Sequence, residues 1–344
     1  MKILIVQTAF IGDCVLTTPL IRRSKEAFGE DSFIAVMTTP EGAQVFDGNP
    51  HIDEIIVYDK RNDNAKLSTH FGAVNDLLSR KFDIAILPHR SFRTGIMTFM
   101  ARIPERIGFE KSGGTLFYTK KVSKPMELPE PERLLELLTV LGHNPNPSTL
   151  EVFPGAEREA KASELLKARN IDSKAFAAIA PGSVWGTKRY PPELFAEAIR
   201  GLFAEKVVEV AVIIGSAKDS ELCDEVAKKA GDGAFAIAGE SDILTSAEII
   251  RRAKVFIGND SGPAHLAAAV GTPVVVILGP TVPSFGFVPY GENVTVLEPA
   301  IELSCRPCSP HGKTECPRGD LACMVSIFPD RVIASATSAV SRSS

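Results

Sequence analysis

The sequence predicts an α/β chain built as two Rossmann-like domains in tandem. Three observations predict it. Short continuous aliphatic runs alternate with helical patterns from the start, the alternation halts in a proline-rich stretch near the middle, and it then restarts with the same rhythm. Continuous apolar runs of strand length mark strands buried on both faces, as in a parallel sheet covered by crossover helices. At 344 residues and 44% hydrophobic content, the chain is too long for one small core and ample for two.

The opening run, KILIVQ, reads as a first strand. It is not expected to be a signal peptide, because the apolar stretch after Lys2 ends at Gln7 and no small-residue cleavage site follows a longer apolar core. A helix is expected over 13–28, then the strand SFIAVM, a short helix near Pro40, the strand DEIIVYD, a helix over 71–80 and the strand FDIAILPH. Pro125, Pro129, Pro131, Pro145, Pro147 and Pro154 punctuate residues 123–155 around one helix at 131–141, which makes this the linker region.

The second series runs FAAIAPGS, a helix over 192–204, VEVAVIIGS, a helix over 219–230, AFAIAG, a helix over 244–252, KVFIGND and TPVVVILGP. The division expected is an N-terminal domain over 1–155, a C-terminal domain over 156–325 and a tail over 326–344 that packs back on the first domain. The Ser/Ala-rich end ASATSAVSRSS is expected to fray. Open α/β sheets bind ligands beyond the carboxyl ends of their strands, so two such domains facing across a cleft would hold the chemistry there.

Composition removes several classes of function. A net charge of -4 and a pI near 6.0 argue against a nucleic-acid partner, which calls for a basic face. No apolar run nears the roughly 20 residues that span a bilayer, and the protein is expected in the cytoplasm. Cys305, Cys308, Cys316 and Cys323 crowd one stretch, CRPCSPHGKTECPRGDLAC. Structural disulfides are a poor first reading without a secretory signal, and the last two cysteines stand further apart than zinc folds use. Reduced thiols in a compact loop, without a metal, are expected.

Three loops carry the chemistry. In GNDSGPAHLAAAVGTPVVVILGPT, 258–281, a buried strand gives way to a small-residue helix. Pro263 suits its first turn, with Ser261 or Gly262 as N-cap. Free N–H groups and the helix dipole at that start favour a phosphate, whereas Asp260 would repel one and is better used on sugar hydroxyls. APGSVWGTKRYP, 180–191, adds Ser183, Thr187, Lys188 and Arg189, donors and cations suited to a diphosphate. QTAFIGDCVLTTP, 7–19, sets Asp13 at a helix start, where a carboxylate serves as a cap or, opposite a diphosphate, as a general base. Neither a P-loop nor a Gly-x-Gly-x-x-Gly fingerprint occurs. Arg90, Arg93, Arg102 and Arg106 fall together in PHRSFRTGIMTFMARIPERIG beside one acid, Glu105, and would draw an anionic substrate.

Together IGDCVLTTPLIRRSK, PGSVWGTKRYP and GNDSGPAHLAAAVGTPVVVILGPT resemble, in order and over nearly the whole chain, the signature loops of bacterial lipopolysaccharide heptosyltransferases, most closely the heptosyltransferase II branch of glycosyltransferase family 9. The Cys-rich stretch resembles one found in that branch. The resemblance implies a GT-B fold, an N-terminal acceptor domain, a C-terminal donor domain, and inverting transfer from ADP-heptose that needs no metal and no cofactor. It implies Asp13 as the general base and Lys188 as the cation on the donor phosphates, with Gly12, Ser183 and Thr187 also at the donor. Asp260 would contact the donor sugar, and Ser261, Gly262, Pro263, Ala264 and His265 would form the diphosphate-binding helix start. Arg90 and Arg93 would meet the inner-core (Kdo/heptose–lipid A) acceptor, with peripheral contact at the cytoplasmic face of the inner membrane. Another GT-B transferase, a sugar-nucleotide epimerase and a non-catalytic nucleotide-sugar-binding protein are the alternatives.

Overall fold

The computed structural model describes residues 1–59, 66–144 and 146–343. Pro145 of the linker and Ser344 of the tail lie outside the described residues. The chain forms two compact units, Met1–Phe153 and Pro154–Ser344.

The first unit runs β1 (Lys2–Gln7), α1 (Ile11–Phe28), β2 (Phe33–Thr38), α2 (Pro40–Phe46), β3 (Glu54–Val57), α3 (Lys66–Arg80), β4 (Ile84–Leu87), α4 (Phe92–Met100), β5 (Glu105–Phe109), β6 (Lys120–Val122) and α5 (Glu130–Leu135), which continues as a 3-10 helix over Glu136–Leu141. All pairings are parallel, in the order β3-β2-β1-β4-β5-β6. Ile3, Leu4, Ile5 and Ile86 are wholly buried, as central strands covered on both faces require. Pro19 sits inside α1. Its missing N–H would strand the carbonyl one turn back, and the Thr18 hydroxyl donates to that Val15 oxygen at 2.8 Å instead.

The second unit runs α6 (Gly155–Lys167), β7 (Phe176–Ala180), α7 (Pro192–Ala204), β8 (Val210–Ile213), α8 (Ser220–Ala230), β9 (Ala234–Ala236), α9 (Ile243–Arg252), β10 (Val255–Asn259), α10 (Gly262–Ala269), β11 (Val274–Ile277), β12 (Val294–Leu297), α11 (Ala322–Val325) and α12 (Pro329–Ser343). Its parallel sheet has the order β12-β11-β10-β7-β8-β9. Counted from its own first strand this is 3-2-1-4-5-6 again, so each unit is a doubly wound Rossmann-like sheet. No helix among the described residues is long and apolar enough to cross a membrane.

The end of the chain does not fray as expected. The segment 334–343 lies in α12, which packs on α7 and on β10, β11 and β12. Its small residues are the reason: they let the helix approach closely enough to bury Val332, Ala336 and Ala339. A Cβ on Gly201 of α7 would lie 2.1 Å from the Ile333 side chain.

Candidate active site

In a doubly wound sheet the loops after the first and fourth strands run to opposite faces and leave a crevice at the carboxyl edge. Of the sequence-nominated residues, all but Arg102 and Arg106 fall there. Gly12 and Asp13 follow β1, Arg90 and Arg93 follow β4, Ser183, Thr187 and Lys188 follow β7, and Asp260 to His265 follow β10. Each unit thus carries its own candidate residues at its own switch point.

Asp13 is the third residue of α1, and its Oδ2 accepts the Phe10 backbone N–H at 3.2 Å, so it does cap the helix. The cap does not exhaust it. Burial raises its pKa from 3.8 to about 6, and the nearby Glu130 carboxylate adds to the rise. The Phe10 N–H and Lys124 act the other way. Glu130, at the start of α5, pairs with Lys124 at 2.6 Å and Arg133 at 3.3 Å. Arg133 is almost wholly buried, and its Nε donates to the Pro125 carbonyl at 3.0 Å, which fixes α5 and the loop before it as one piece. Burial also lowers the pKa of Lys124, and the charges of Arg90 and Arg133 lower it further against the opposing pull of Glu130. The sequence reading passed over Glu130, Lys124 and Arg133, which its linker contained.

The four arginines do not form one patch. Because β4 and β5 run parallel, the crossover through α4 carries the chain from the carboxyl edge of the sheet to its amino edge. Arg90 and Arg93 stay at the carboxyl edge, and the charge of Arg93 acts on Tyr58, whose hydroxyl bonds His70 Nδ1. Arg102 and Arg106 end at the other edge, where Arg106 Nε donates to the Phe117 carbonyl at 2.6 Å.

In the second unit Lys188 and Asp260, 72 residues apart, meet: Lys188 Nζ stands 2.5 Å from Asp260 Oδ2. Neighbouring strands β7 and β10 bring their loops together, and the Thr281 hydroxyl donates to the same Asp260 oxygen at 3.1 Å. Both members of the pair are nine-tenths removed from water or close to it, with side-chain exposures of 12% and 9%. Ser261 is the N-cap of α10, with Gly262 and Pro263 in its first turn; its hydroxyl turns back to the Asn259 carbonyl at 3.3 Å, and no side chain caps the helix. Ala264 and His265 are buried behind it. Burial lowers the His265 pKa to about 4, with Lys188 adding to the fall and Asp260 opposing it, and His265 Nδ1 has no hydrogen-bond partner among the described residues.

Ser183 Oγ accepts the Trp185 N–H at 3.3 Å. The Thr187 hydroxyl is engaged with Lys313, donating to its carbonyl at 3.0 Å and accepting its N–H at 2.8 Å. Asn259, absent from the sequence reading, is fully buried and holds the loop: its Oδ1 accepts the Tyr190 N–H at 3.0 Å and its Nδ2 donates to the Pro181 carbonyl at 2.7 Å. An Asn at the end of a buried strand, where its amide must find partners, was the available signal.

The Cys-rich loop is a strap. Besides the Thr187–Lys313 bonds, a Cβ on Gly186 would stand 2.2 Å from the Thr314 carbonyl, so only glycine admits the strap there. The Cys308 N–H reaches the Pro280 carbonyl at 2.9 Å, joining the loops after β7 and β11. All four thiols are free, and among the described residues no group of three or more His, Cys, Asp or Glu side chains is arranged to hold a metal ion.

Comparison with known proteins agrees with this fold. A lipooligosaccharide heptosyltransferase 2 from Haemophilus ducreyi is 25% identical over 351 residues, covering 97% of each chain. A glycosyltransferase family 9 crystal structure from Veillonella parvula superposes with a TM-score of 0.87 at 24% identity, covering 99% of this chain and 97% of that one. The Escherichia coli ADP-heptose lipopolysaccharide heptosyltransferase II gives 0.79 at 21% identity, covering 100% and 99%, and the architecture is the GT-B fold of these enzymes. The sequence pattern of glycosyltransferase family 9 (heptosyltransferase) matches residues 73–318, a span that includes Arg90, Lys188 and Asp260. The chain therefore belongs to glycosyltransferase family 9, the heptosyltransferases, and is a glycosyltransferase.

Proposed function

We propose that this enzyme moves heptose from ADP-heptose to the inner core of lipopolysaccharide in one inverting displacement, with no metal ion or cofactor. Beyond family membership, the observation that carries the reading is the Lys188–Asp260 pair beside the uncapped start of α10. A buried cation, free backbone donors and a positive helix end suit a diphosphate. The neutral imidazole of His265 offers one further N–H. When phosphate oxygens draw Lys188, Asp260 keeps the Thr281 hydroxyl and can accept from a sugar hydroxyl.

The acceptor hydroxyl gives its proton to Asp13 as its oxygen bonds to the anomeric carbon, the bond from that carbon to the phosphate oxygen breaks, and ADP leaves with the electron pair. A pKa near 6 leaves Asp13 about nine-tenths ionised at pH 7 yet basic enough to take a proton. Lys188 and the α10 start stabilise the charge that grows on ADP. Arg90 and Arg93 meet the anionic groups of the Kdo/heptose–lipid A acceptor. The enzyme works in the cytoplasm and touches the inner membrane peripherally, because its acceptor is anchored there.

The test is to mix the protein, ADP-heptose and a delipidated inner-core acceptor in EDTA, and to follow ADP release and product mass. One heptose gained per ADP released is expected. ADP release without a glycosylated product, or nucleotide binding without turnover, would refute the reading.

A further inference from the structure

Helix α4 is turned inside out. Its inward positions are Thr94, Gly95, Met97 and Thr98, while Phe92, Phe99 and Met100 face water at 54%, 52% and 41% exposure. The outward residues recur at i, i+7 and i+8, one stripe of a helix, where a surface helix ordinarily carries polar side chains. Close backbone packing explains the glycine on the inward side: a Cβ on Gly95 would lie 2.8 Å from Gly114 Cα, while Met97 enters the core. The inward hydroxyls satisfy themselves locally, Thr98 donating to the Thr94 and Gly95 carbonyls at 3.0 Å each. Nothing in this packing calls for large apolar residues on the outer face.

The 3-10 turn Thr115–Phe117 extends the stripe. The Phe117 ring stands 5.4 Å from that of Phe92 and 5.6 Å from that of Phe99, and Leu116 is 83% exposed at the tip. The surround is basic although the protein is net acidic. Arg93, Arg102 and Lys111 are exposed, and the Arg106 guanidinium lies over the Phe99 ring at 5.5 Å. Of the acids nearby, Glu105 is paired with Lys120 at 2.9 Å, which leaves Glu110 on this border.

We propose that this face docks the protein on a bilayer bearing anionic phospholipid. Phe92, Phe99 and Leu116 enter the interface, and the basic residues meet the headgroups. Aromatic and aliphatic side chains flanked by Arg and Lys are what an interfacial helix presents to such a surface, and the charge border selects an anionic membrane over a neutral one. The proposal rests on the proposed function only for the membrane-anchored acceptor; the face itself is independent of it.

Flotation of the full-length protein with vesicles tests it. The protein should float with phosphatidylglycerol-containing vesicles, much less with pure phosphatidylcholine, and come off as salt is raised. The variant Phe99→Ser/Leu116→Ser should lower the partition on the order of tenfold or more and leave the protein folded with a cooperative thermal melt, because both side chains are more than half exposed. Arg102→Glu/Lys111→Glu should lose the anionic preference. Both variants should keep wild-type transfer to a delipidated acceptor. If no variant transfers heptose yet the vesicle results stand, the proposed function fails and the docking face survives. Absence of wild-type flotation, flotation unchanged in both variants, or a concentration-dependent dimer abolished by Phe99→Ser/Leu116→Ser would overturn the proposal.

Discussion

Replacing Asp13 by asparagine should stabilise the protein at neutral pH while removing most of its turnover. The folded-state pKa of about 6 lies above the unfolded value of 3.8, so the folded protein binds the proton more tightly. Relative to the variant, the native residue is harmless below about pH 4 and increasingly costly as pH rises through 6. The difference is about 2 units, and at about 1.4 kcal/mol each the upper bound is about 3 kcal/mol. Asp13 is half-buried, so water screens part of that. Against it stands the loss of a carboxylate at a helix N-terminus, about 0.3–1 kcal/mol. The Asn side-chain oxygen can still accept the Phe10 N–H, so the cap largely survives. The gain should win at pH 8 and vanish at pH 4, read as thermal melts of both proteins across that range. Turnover should fall on the order of 10² to 10⁴. A variant no more stable at pH 8, with more than about a tenth of wild-type turnover, would make Asp13 a cap and nothing else.

Three further outcomes are expected. Lys188→Ala should weaken ADP binding by about 1.5–3 kcal/mol by calorimetry, the scale of a charged hydrogen bond; unchanged affinity would mean that Lys188 stays with Asp260 when nucleotide is bound. Glu130→Gln removes the like charge beside Asp13, so the acidic limb of the pH–rate profile should move below its wild-type midpoint near 6, and a limb that stays in place would sever Glu130 from the base. Elemental analysis of the purified protein should find no tightly held metal at Cys305, Cys308, Cys316 and Cys323, whereas one zinc or iron per chain would overturn that.

The sequence displays what the central strands impose. FAAIA and VVVI are buried at every position, and such strands show as unbroken apolar runs. The edge strands β3 and β9 still show as apolar runs, whereas the interior strand Glu105–Phe109 was not predicted, its first two residues being charged and only partly buried. Residues Lys120–Val122 and Val294–Leu297 are short and partly exposed, and neither was predicted. Helix α6, GAEREAKASELLK, was missed because only Ala162, Leu165 and Leu166 are buried in an otherwise charged segment. Site residues were legible where a loop leaves a buried strand, as at Asp13, Lys188 and Asp260. Their partners were not, because pairing depends on strand order: only the adjacency of β7 and β10 makes Lys188 and Asp260 an ion pair. The same limit made the four arginines read as one cluster, since adjacency along a crossover says nothing about which edge of the sheet each residue reaches.

The central claim is direct displacement at the anomeric carbon by an acceptor hydroxyl that Asp13 deprotonates. It is tested most directly by the anomeric configuration of the new linkage, read by NMR on product made from ADP-heptose and a delipidated inner-core acceptor. Inversion relative to the donor, formed in EDTA and lost with Asp13→Asn, is the predicted result. Retention of the donor configuration, or the same inverted product formed at an undiminished rate by Asp13→Asn, would contradict it.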